Sequence, residues 1–302
     1  MAIVGPTGVG KSQLALHLAQ EFDGEIVSAD SRQVYRHMDI GTAKPIPEEL
    51  SLVSHHLIDI FNPDETFSLA QYHEMACRAI ADVQRRHRLP LLVGGSGMYV
   101  WSILEGWGIP RVPPNPILRK ALQDRAEQGG KEALYQKLMQ VDPPAAQRID
   151  PRNVRRTIRA LEVHEATGVP FSQLQQKKAP PFVTRIIGLT ADREELYRRI
   201  DRRVDYMMQR GLVAEVEKLV NMGYDFNLPS MSSIGYKEIG MFLRGELPLD
   251  VAVQQTKFET HRFVRHQYNW FRPKDDKIEW FDIQDDMAAK VETRVAAFWK
   301  GR

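Results

Sequence analysis

A glycine-rich loop near the amino terminus constrains the fold of this chain more than any other feature. Gly5-Pro6-Thr7-Gly8-Val9-Gly10-Lys11-Ser12 fits the phosphate-loop pattern, and the apolar run Ala2-Ile3-Val4 before it is typical of a buried strand. From Lys11 to Phe22, apolar residues recur at helical spacing. A strand, this loop and a helix, in that order, predict backbone N–H groups that cradle phosphate oxygens at a helix N-terminus.

Two side chains of the loop have the chemistry of a phosphate site. Lys11 supplies a positive charge, and the hydroxyl of Ser12 is suited to ligate Mg²⁺. The loop is therefore predicted to bind a diphosphate or a triphosphate together with Mg²⁺. Most loops of this kind bind ATP or GTP, so the motif alone leaves nucleotide binding open.

Further apolar runs alternate with helical patterns, which predicts an α/β fold with a parallel sheet covered on both faces. The predicted strands cover residues 2–4, 25–30, 89–93 and 185–190. Ligands bind at the carboxyl ends of such strands, and Asp30 closes the second strand. From its position alone, Asp30 suits a Mg²⁺ ligand and a general base equally well, and a helix cap is the structural alternative.

The chain changes character after the third predicted strand. Four prolines between Ile109 and Pro116 mark a linker, and helical patterns follow over 117–128 and 131–141. We therefore predict a mostly helical insertion over residues 111–184, with residues 1–110 and 185–302 forming the core. From Arg111 to Arg185 there are 14 Lys and Arg against 7 Asp and Glu, whereas the rest has 27 against 32. A basic segment indicates a polyanionic partner, or else a solvated charged surface.

Composition excludes several classes of protein. Of the 302 residues, 43% are hydrophobic and 26% are charged, as in soluble globular proteins. A single cysteine excludes a disulfide framework, and the adjacent His55 and His56 lack metal-site spacing, which favours a structural role. The sequence has neither a signal peptide nor an apolar run of the ~18 residues that a membrane helix needs. We expect a cytoplasmic protein with no membrane partner.

Beyond the phosphate loop, an ordered set of motifs resembles the tRNA dimethylallyltransferase (isopentenyltransferase, or IPP transferase) family. The resemblance covers about residues 2–272 and implies a P-loop NTPase-like α/β core that carries a helical insertion. The motifs are Asp30-Ser31-Arg32-Gln33-Val34-Tyr35, Gly41-Thr42-Ala43-Lys44-Pro45, His55-His56-Leu57-Ile58-Asp59, Gly94-Gly95-Ser96-Gly97-Met98-Tyr99, Arg159-Ala160-Leu161-Glu162-Val163, Ser233-Ile234-Gly235-Tyr236-Lys237-Glu238 and Trp270-Phe271-Arg272.

The resemblance implies transfer of a dimethylallyl group from its diphosphate to the N6 amine of the adenosine immediately 3′ of the anticodon of tRNA. The loop Gly5–Ser12 is then expected to hold the diphosphate, with Mg²⁺ on Ser12. The family's base falls on Asp30, its loop threonine on Thr7 and its diphosphate-binding arginine on Arg203. The family also implies a monomer that acts on the anticodon stem-loop.

Contacts with tRNA are expected from three segments and from separate residues. Helical spacing puts Arg152, Arg155, Arg156 and Arg159 on one face, which suits phosphates, and because Glu162 extends this face, a solvated or salt-bridged surface is the alternative. The Gln33 amide suits a base edge, and Trp270 suits stacking or the core. The expected contacts are Asp30, Ser31, Arg32, Gln33, Ser96, Arg119, Arg155, Arg156, Thr157, Ile158, Arg159, Ser233, Ile234, Gly235, Tyr236 and Lys237.

Some positions depart from the family pattern, and other functions remain open. Ser96 replaces the usual threonine but keeps the hydroxyl, whereas His266 and Asn269 weaken any inference at those positions. One alternative is a P-loop small-molecule kinase, in which Asp30 holds Mg²⁺, and another is a nucleic-acid-binding ATPase. A third is an adenylate isopentenyltransferase, which prenylates free AMP, ADP or ATP. The basic insertion and the long carboxyl-terminal part favour tRNA.

Overall fold

The computed structural model describes residues 1–283 and 286–299, and over these residues six strands form one parallel sheet. The strand order is β3-β2-β4-β1-β5-β6. All residues of the central strands β1, β2 and β4 are buried, which explains their continuous apolar runs. The strands are β1 (Ala2–Val4), β2 (Gly24–Ser28), β3 (His55–His56), β4 (Leu89–Val93), β5 (Ile186–Thr190) and β6 (Ile278–Asp282).

The predicted α/β class is confirmed, and the four predicted strands are present. The structure adds two strands that were not predicted, β3 and β6, and β6 is an edge strand whose residues after Ile278 are only half buried. The helices are α1 (Lys11–Glu21), α2 (Pro47–Leu52), α3 (Leu69–Arg85), α4 (Gly97–Leu104), α5 (Pro116–Val141), α6 (Pro143–Arg148), α7 (Val154–Thr167), α8 (Phe171–Leu174), α9 (Arg193–Gln209), α10 (Leu212–Asn221), α11 (Tyr236–Leu243), α12 (Leu249–Trp270) and α13 (Met287–Trp299).

The chain divides into two compact units, and the larger one contains residues 1–104 and the chain from Phe182 onward. Its central core joins the sheet to α1 and α9 through residues such as Ile3, Leu18 and Ile200. The carboxyl ends of its strands approach closely because glycine follows them. A Cβ on Gly94 would lie 2.2 Å from the carbonyl oxygen of Ala29, so only glycine lets β2 and β4 end side by side.

The smaller unit is the helical insertion, Glu105–Pro181, which contains α5 to α8. The insertion begins and ends earlier in the chain than the predicted range of 111–184. The entering and leaving segments pair, since Lys178 N–H donates to Gly106 O at 2.8 Å and Gly108 N–H donates to Gln176 O at 3.0 Å. Within α5 the backbone breaks at Gly130 (φ 80°), which separates the two helices predicted there.

In the part of the chain that the structure describes, no helix is long and apolar enough to cross a membrane.

Candidate active site

A cavity of about 270 Å³ lies in the larger unit, where β1, β2 and β4 end. Thr7, Asp30 and Arg203, the three residues expected to be catalytic, all line it. Parallel strands deliver Thr7 and Asp30 to one edge of the sheet, and α9 supplies Arg203. The remaining lining residues are Ser31, Arg32, Gly41, Thr42, Gly95, Ser96, Ile200, Val204, Met207, Ser232, Ser233, Ile234, Gly235, Thr256, Thr260, Phe263 and Gln267.

The phosphate loop has the backbone geometry that its glycines predict. Gly8 and Gly10 adopt positive φ angles of 87° and 96°, and Gly10 is the N-cap of α1. Lys11 therefore begins the helix, whose N-terminus favours negative charge. Its Nζ donates to the carbonyl oxygen of Pro6 at 2.8 Å, and Ser12 is exposed beside it.

Burial and charge make Lys11 unusual. The pKa of Lys11 is lowered to about 7, mainly by burial and also by the nearby positive charge of Arg203, while the charge of Asp30 opposes both effects. Burial also lowers the pKa of Arg203, again opposed by Asp30. Two cationic groups thus share one nearby carboxylate in a partly dry site, so the site favours an added anion.

The Asp30 carboxylate is held by the backbone that follows it. Its Oδ1 accepts from the N–H of Arg32 at 2.8 Å and from the N–H of Gln33 at 3.3 Å. The N–H of Ser31 donates to Ser96 Oγ at 3.2 Å, which ties the β2 end to the β4 end. Asp30 therefore stabilises its own turn through one oxygen while its side chain lines the cavity.

Gln33 does not present its amide to the cavity. Its Nε2 donates to the carbonyl oxygens of Thr42 and Ala43 at 3.3 and 3.1 Å, and its Oε1 accepts from Ser28 Oγ at 3.3 Å. The expectation that this amide reads a base edge is corrected here, because both its ends bind the protein. Gln33 instead fixes the segment that brings Thr42 into the cavity wall.

The segment 233–237 is divided between the cavity and the core. Ser233 and Ile234 line the cavity together with Gly235, whereas Tyr236 is fully buried and Lys237 is exposed. The Tyr236 hydroxyl donates to Glu215 at 2.6 Å, so the expected contact of Tyr236 with tRNA is corrected to a structural role. Glu215 also accepts the backbone N–H groups of Asp39, Ile40 and Gly41.

The α12 face of the cavity was not predicted from the sequence. Thr260, Phe263 and Gln267 recur at helical spacing and line it, and Gln267 is only 3% exposed. A buried glutamine at this spacing is a signal for a polar site, because a buried amide needs partners. The prediction for this stretch of sequence rested on Trp270 and Phe271 and did not consider Gln267.

In the insertion, two of the expected RNA-contacting arginines bind a buried carboxylate. Arg119 makes a bidentate pair with Glu162, with both N···O distances at 2.8 Å, and Arg159 Nη1 donates to Glu162 Oε2 at 2.6 Å. Burial alone would raise the pKa of Glu162, but the hydrogen bonds from Arg119, Asn115 N–H and Arg159 outweigh it and lower this pKa. Arg119 and Arg159 therefore stabilise the insertion.

The RNA-binding face predicted along α7 contains fewer available residues than expected. Thr157 and Ile158 are 1% and 6% exposed, so their expected contact with tRNA is corrected to packing within the insertion. Arg152 precedes α7 and pairs with Asp150 rather than joining a helical face. Arg155 and Arg156 are exposed, and among the described residues neither side chain has an ion-pair partner.

The fold and the cavity together define a class of protein: a phosphate-loop α/β enzyme with a carboxylate at the end of the neighbouring strand. The model of the family "IPP transferase" matches residues 33–274, so the chain belongs to the IPP transferase family. A tRNA dimethylallyltransferase of Roseiflexus castenholzii is 57% identical over 272 residues, 90% of this chain and 89% of that protein.

Solved structures agree with this assignment. The tRNA isopentenylpyrophosphate transferase of Bacillus halodurans is 39% identical with a TM-score of 0.73, and the match covers 99% of this chain and 96% of that one. A eukaryotic dimethylallyltransferase acting on tRNA is 26% identical with a TM-score of 0.83, covering 100% and 79%. The P-loop NTPase-like fold and the resemblance to this family are confirmed, and enzymes of the family use a divalent cation.

Proposed function

We propose that the chain transfers a dimethylallyl group from dimethylallyl diphosphate to the N6 amine of the adenosine immediately 3′ of the anticodon in tRNA. The observation that carries the proposal is the meeting of Thr7, Asp30 and Arg203 in one cavity beside a phosphate loop. The names of relatives up to 57% identical support the same reaction.

The diphosphate lies on the phosphate loop in this proposal. Lys11, Arg203 and the N-terminus of α1 supply positive charge where the leaving diphosphate gains negative charge during the reaction. The Thr7 hydroxyl donates a hydrogen bond to the diphosphate oxygen that leaves the dimethylallyl group. Apolar side chains on the same cavity, including Val204 and Phe263, suit the five-carbon group.

Mg²⁺ fits this site as a cation shared with the substrate. Among the described residues, no group of three or more His, Cys, Asp or Glu side chains is arranged to hold a metal by itself. Mg²⁺ commonly binds one or two protein oxygens and completes its shell with phosphate oxygens and water. The exposed Ser12 hydroxyl at the start of α1 is the oxygen that would hold it. When bound, Mg²⁺ neutralises charge on the diphosphate.

Asp30 acts as the general base. The exocyclic amine of adenine is a weak nucleophile, because its lone pair is delocalised into the ring. As its nitrogen forms a bond to C1 of the dimethylallyl group, the C1–O bond breaks and its electron pair leaves with the diphosphate. The amine proton passes to the Asp30 carboxylate, which the N–H groups of Arg32 and Gln33 hold in place.

The RNA is bound by exposed basic and polar groups outside the reacting centre. Arg155 and Arg156 suit phosphate contacts on the insertion, since they are exposed and available. Arg32, Ser96 and Ser233 line the cavity and suit contacts with the acceptor nucleotide. Lys237 is exposed next to this group and suits a phosphate.

The proposal is tested by labelled transfer with competing acceptors. Labelled dimethylallyl diphosphate and Mg²⁺ are incubated with unmodified tRNA, AMP or ATP, and the labelled product is identified. Label on tRNA alone, at the adenosine 3′ of the anticodon, is the expected result. Label on free nucleotide would assign an adenylate isopentenyltransferase. ATP turnover with no transfer to any acceptor would show that the loop serves a kinase or an ATPase.

A further inference from the structure

We infer that Gln267 is a positioning residue of the transfer reaction, which fixes the phosphate loop at Thr7 relative to the loop that carries the general base. The inference rests on the proposed function, because it assigns Gln267 a part in that transfer. Gln267 contacts neither reacting group in this assignment and acts through Thr7.

Both ends of the Gln267 amide are bound, and they are bound to different loops. Its Oε1 accepts from the backbone N–H of Thr7 at 2.8 Å, and its Nε2 donates to the carbonyl oxygen of Gly95 at 3.1 Å. Rotating the amide by half a turn would place a donor against a donor and an acceptor against an acceptor. A Cβ on Gly95 would lie 2.2 Å from Gln267 Nε2, so the loop backbone approaches the amide as closely as glycine allows.

The connection continues from Gly95 to the general base. The next residue, Ser96, accepts from the N–H of Ser31 through its hydroxyl at 3.2 Å, and Ser31 follows Asp30. Hydrogen bonds and peptide links therefore join Thr7 to Asp30 by way of Gln267. Displacing reacting groups by about 1 Å can cost roughly 100-fold in rate, so this connection matters for the reaction as well as for stability.

The helix that presents Gln267 is itself anchored near this point. The Nε1 of Trp101 donates to the backbone oxygen of Trp270 at 2.9 Å. A Cβ on Gly97 would lie 2.2 Å from the Trp270 ring, so the end of α12 packs directly on the start of α4. Phe271 is buried beside Trp101. Because the anchored helix α12 supports the amide, its two hydrogen bonds restrain the loops at Thr7 and Gly95, and the amide does not move with these loops.

The test compares Gln267→Met, which keeps the length of the side chain but removes both hydrogen bonds, with Gln255→Met. Gln255 is exposed on the same helix and serves as the matched control. We measure the single-turnover transfer rate at saturating substrates, the Kd values for dimethylallyl diphosphate and tRNA, and the Tm. Gln267→Met should lower the rate at least ~10-fold and leave the Kd for tRNA within about twofold, whereas Gln255→Met should match the wild type.

Two further measurements separate positioning from a general structural role. If Gln267 acts through Thr7, then Thr7→Ala and Gln267→Met should combine to far less than the product of their separate rate losses. In Gln267→Glu, the ionised carboxylate faces the Gly95 carbonyl, whereas the protonated acid can donate to it as the amide does. The rate of this variant relative to the wild type should therefore recover as the pH falls.

Several results would overturn the inference while leaving the proposed function intact. They are a wild-type rate in folded Gln267→Met, multiplicative losses in the double variant, or a loss of tRNA affinity that matches the loss of rate. If Gln267→Met does not fold, an unchanged rate in Gln267→Glu at high pH overturns it equally. A wild-type enzyme that transfers nothing to tRNA would instead refute the proposed function.

Discussion

Lys11 predicts an unusual pH dependence for diphosphate binding. Its pKa is held at about 7 in the free protein by burial, with Arg203 adding to the effect. A bound diphosphate places negative charge beside the ammonium group and raises this pKa. Above pH 7, binding must therefore take up a proton, and the affinity should fall as the pH rises, by up to tenfold per pH unit.

The size of the change in affinity follows from the pKa of Lys11 in the free protein. At pH 8.5, about 3% of the free protein carries a charged Lys11 if its pKa is about 7. The affinity for dimethylallyl diphosphate should then be roughly 30-fold lower at pH 8.5 than on the plateau below pH 7, and binding should take up about one proton. The stability of the protein should change with pH in the opposite direction to the affinity. The pKa of Lys11 is lower in the folded protein than the unfolded value of 10.5, and this difference destabilises the fold. Between these two pKa values the destabilising contribution shrinks as the pH rises.

Calorimetry in two buffers of different ionisation enthalpy measures both the affinity and the proton uptake, without tRNA so that no transfer occurs. Lys11→Arg is the control, because a guanidinium stays charged throughout this range. In this variant, any remaining pH dependence of the affinity comes from the ionisation of the ligand and of the other groups. A wild-type affinity that stays flat from pH 7 to 9, without proton uptake, would show that the pKa of Lys11 in the free protein is not near 7. An equal slope in Lys11→Arg would contradict the prediction as well.

Three other predictions concern the insertion and the loop after β4. Removing both exposed arginines by Arg155→Ala and Arg156→Ala should weaken tRNA binding and reduce the slope of log affinity against log salt by about 1 to 2, with an unchanged Tm, as measured by filter binding and thermal melting. Arg119→Ala should instead lower the stability of the protein by about 1.5 to 3 kcal/mol, because the buried Glu162 loses a bidentate partner but keeps its hydrogen bonds from Arg159 and Asn115, and a denaturant titration tests this. Gly95→Ala should reduce transfer by about 10-fold or more while tRNA stays bound, since its Cβ would displace the Gln267 amide, and a rapid-quench assay measures that rate.

The fold was largely predictable because its signals are local. The phosphate loop, the apolar runs of β1, β2 and β4, and the glycines at helix ends each depend on a few neighbouring residues. Gly211 and Gly235, which interrupt helical patterns in the sequence, have φ angles of 94° and 91°. By contrast, β6 depends on pairing with β5, a partner 92 residues earlier at Ile186↔Ile278, and its own sequence carries little of that signal.

The candidate site was predictable only in part, because a sequence pattern gives residue types but not their partners. Thr7, Asp30 and Arg203 do line one cavity. However, helical spacing alone could not separate Arg159, which binds the buried Glu162, from the exposed Arg155. The sequence allows an ion pair between Arg159 and Glu162, and the structure shows that this pair forms around the buried Glu162 carboxylate.

The most direct test of the proposed reaction is the single-turnover transfer rate of Asp30→Asn, measured by rapid quench with tRNA affinity determined in parallel. Asparagine keeps the oxygen that accepts from the N–H groups of Arg32 and Gln33, so the turn is preserved, but its amide cannot take the proton. If Asp30 is the base, the rate should be at least ~100-fold lower, with tRNA affinity within about twofold of the wild type. An unchanged rate, or a loss of tRNA affinity equal to the loss of rate, would contradict Asp30 as the base.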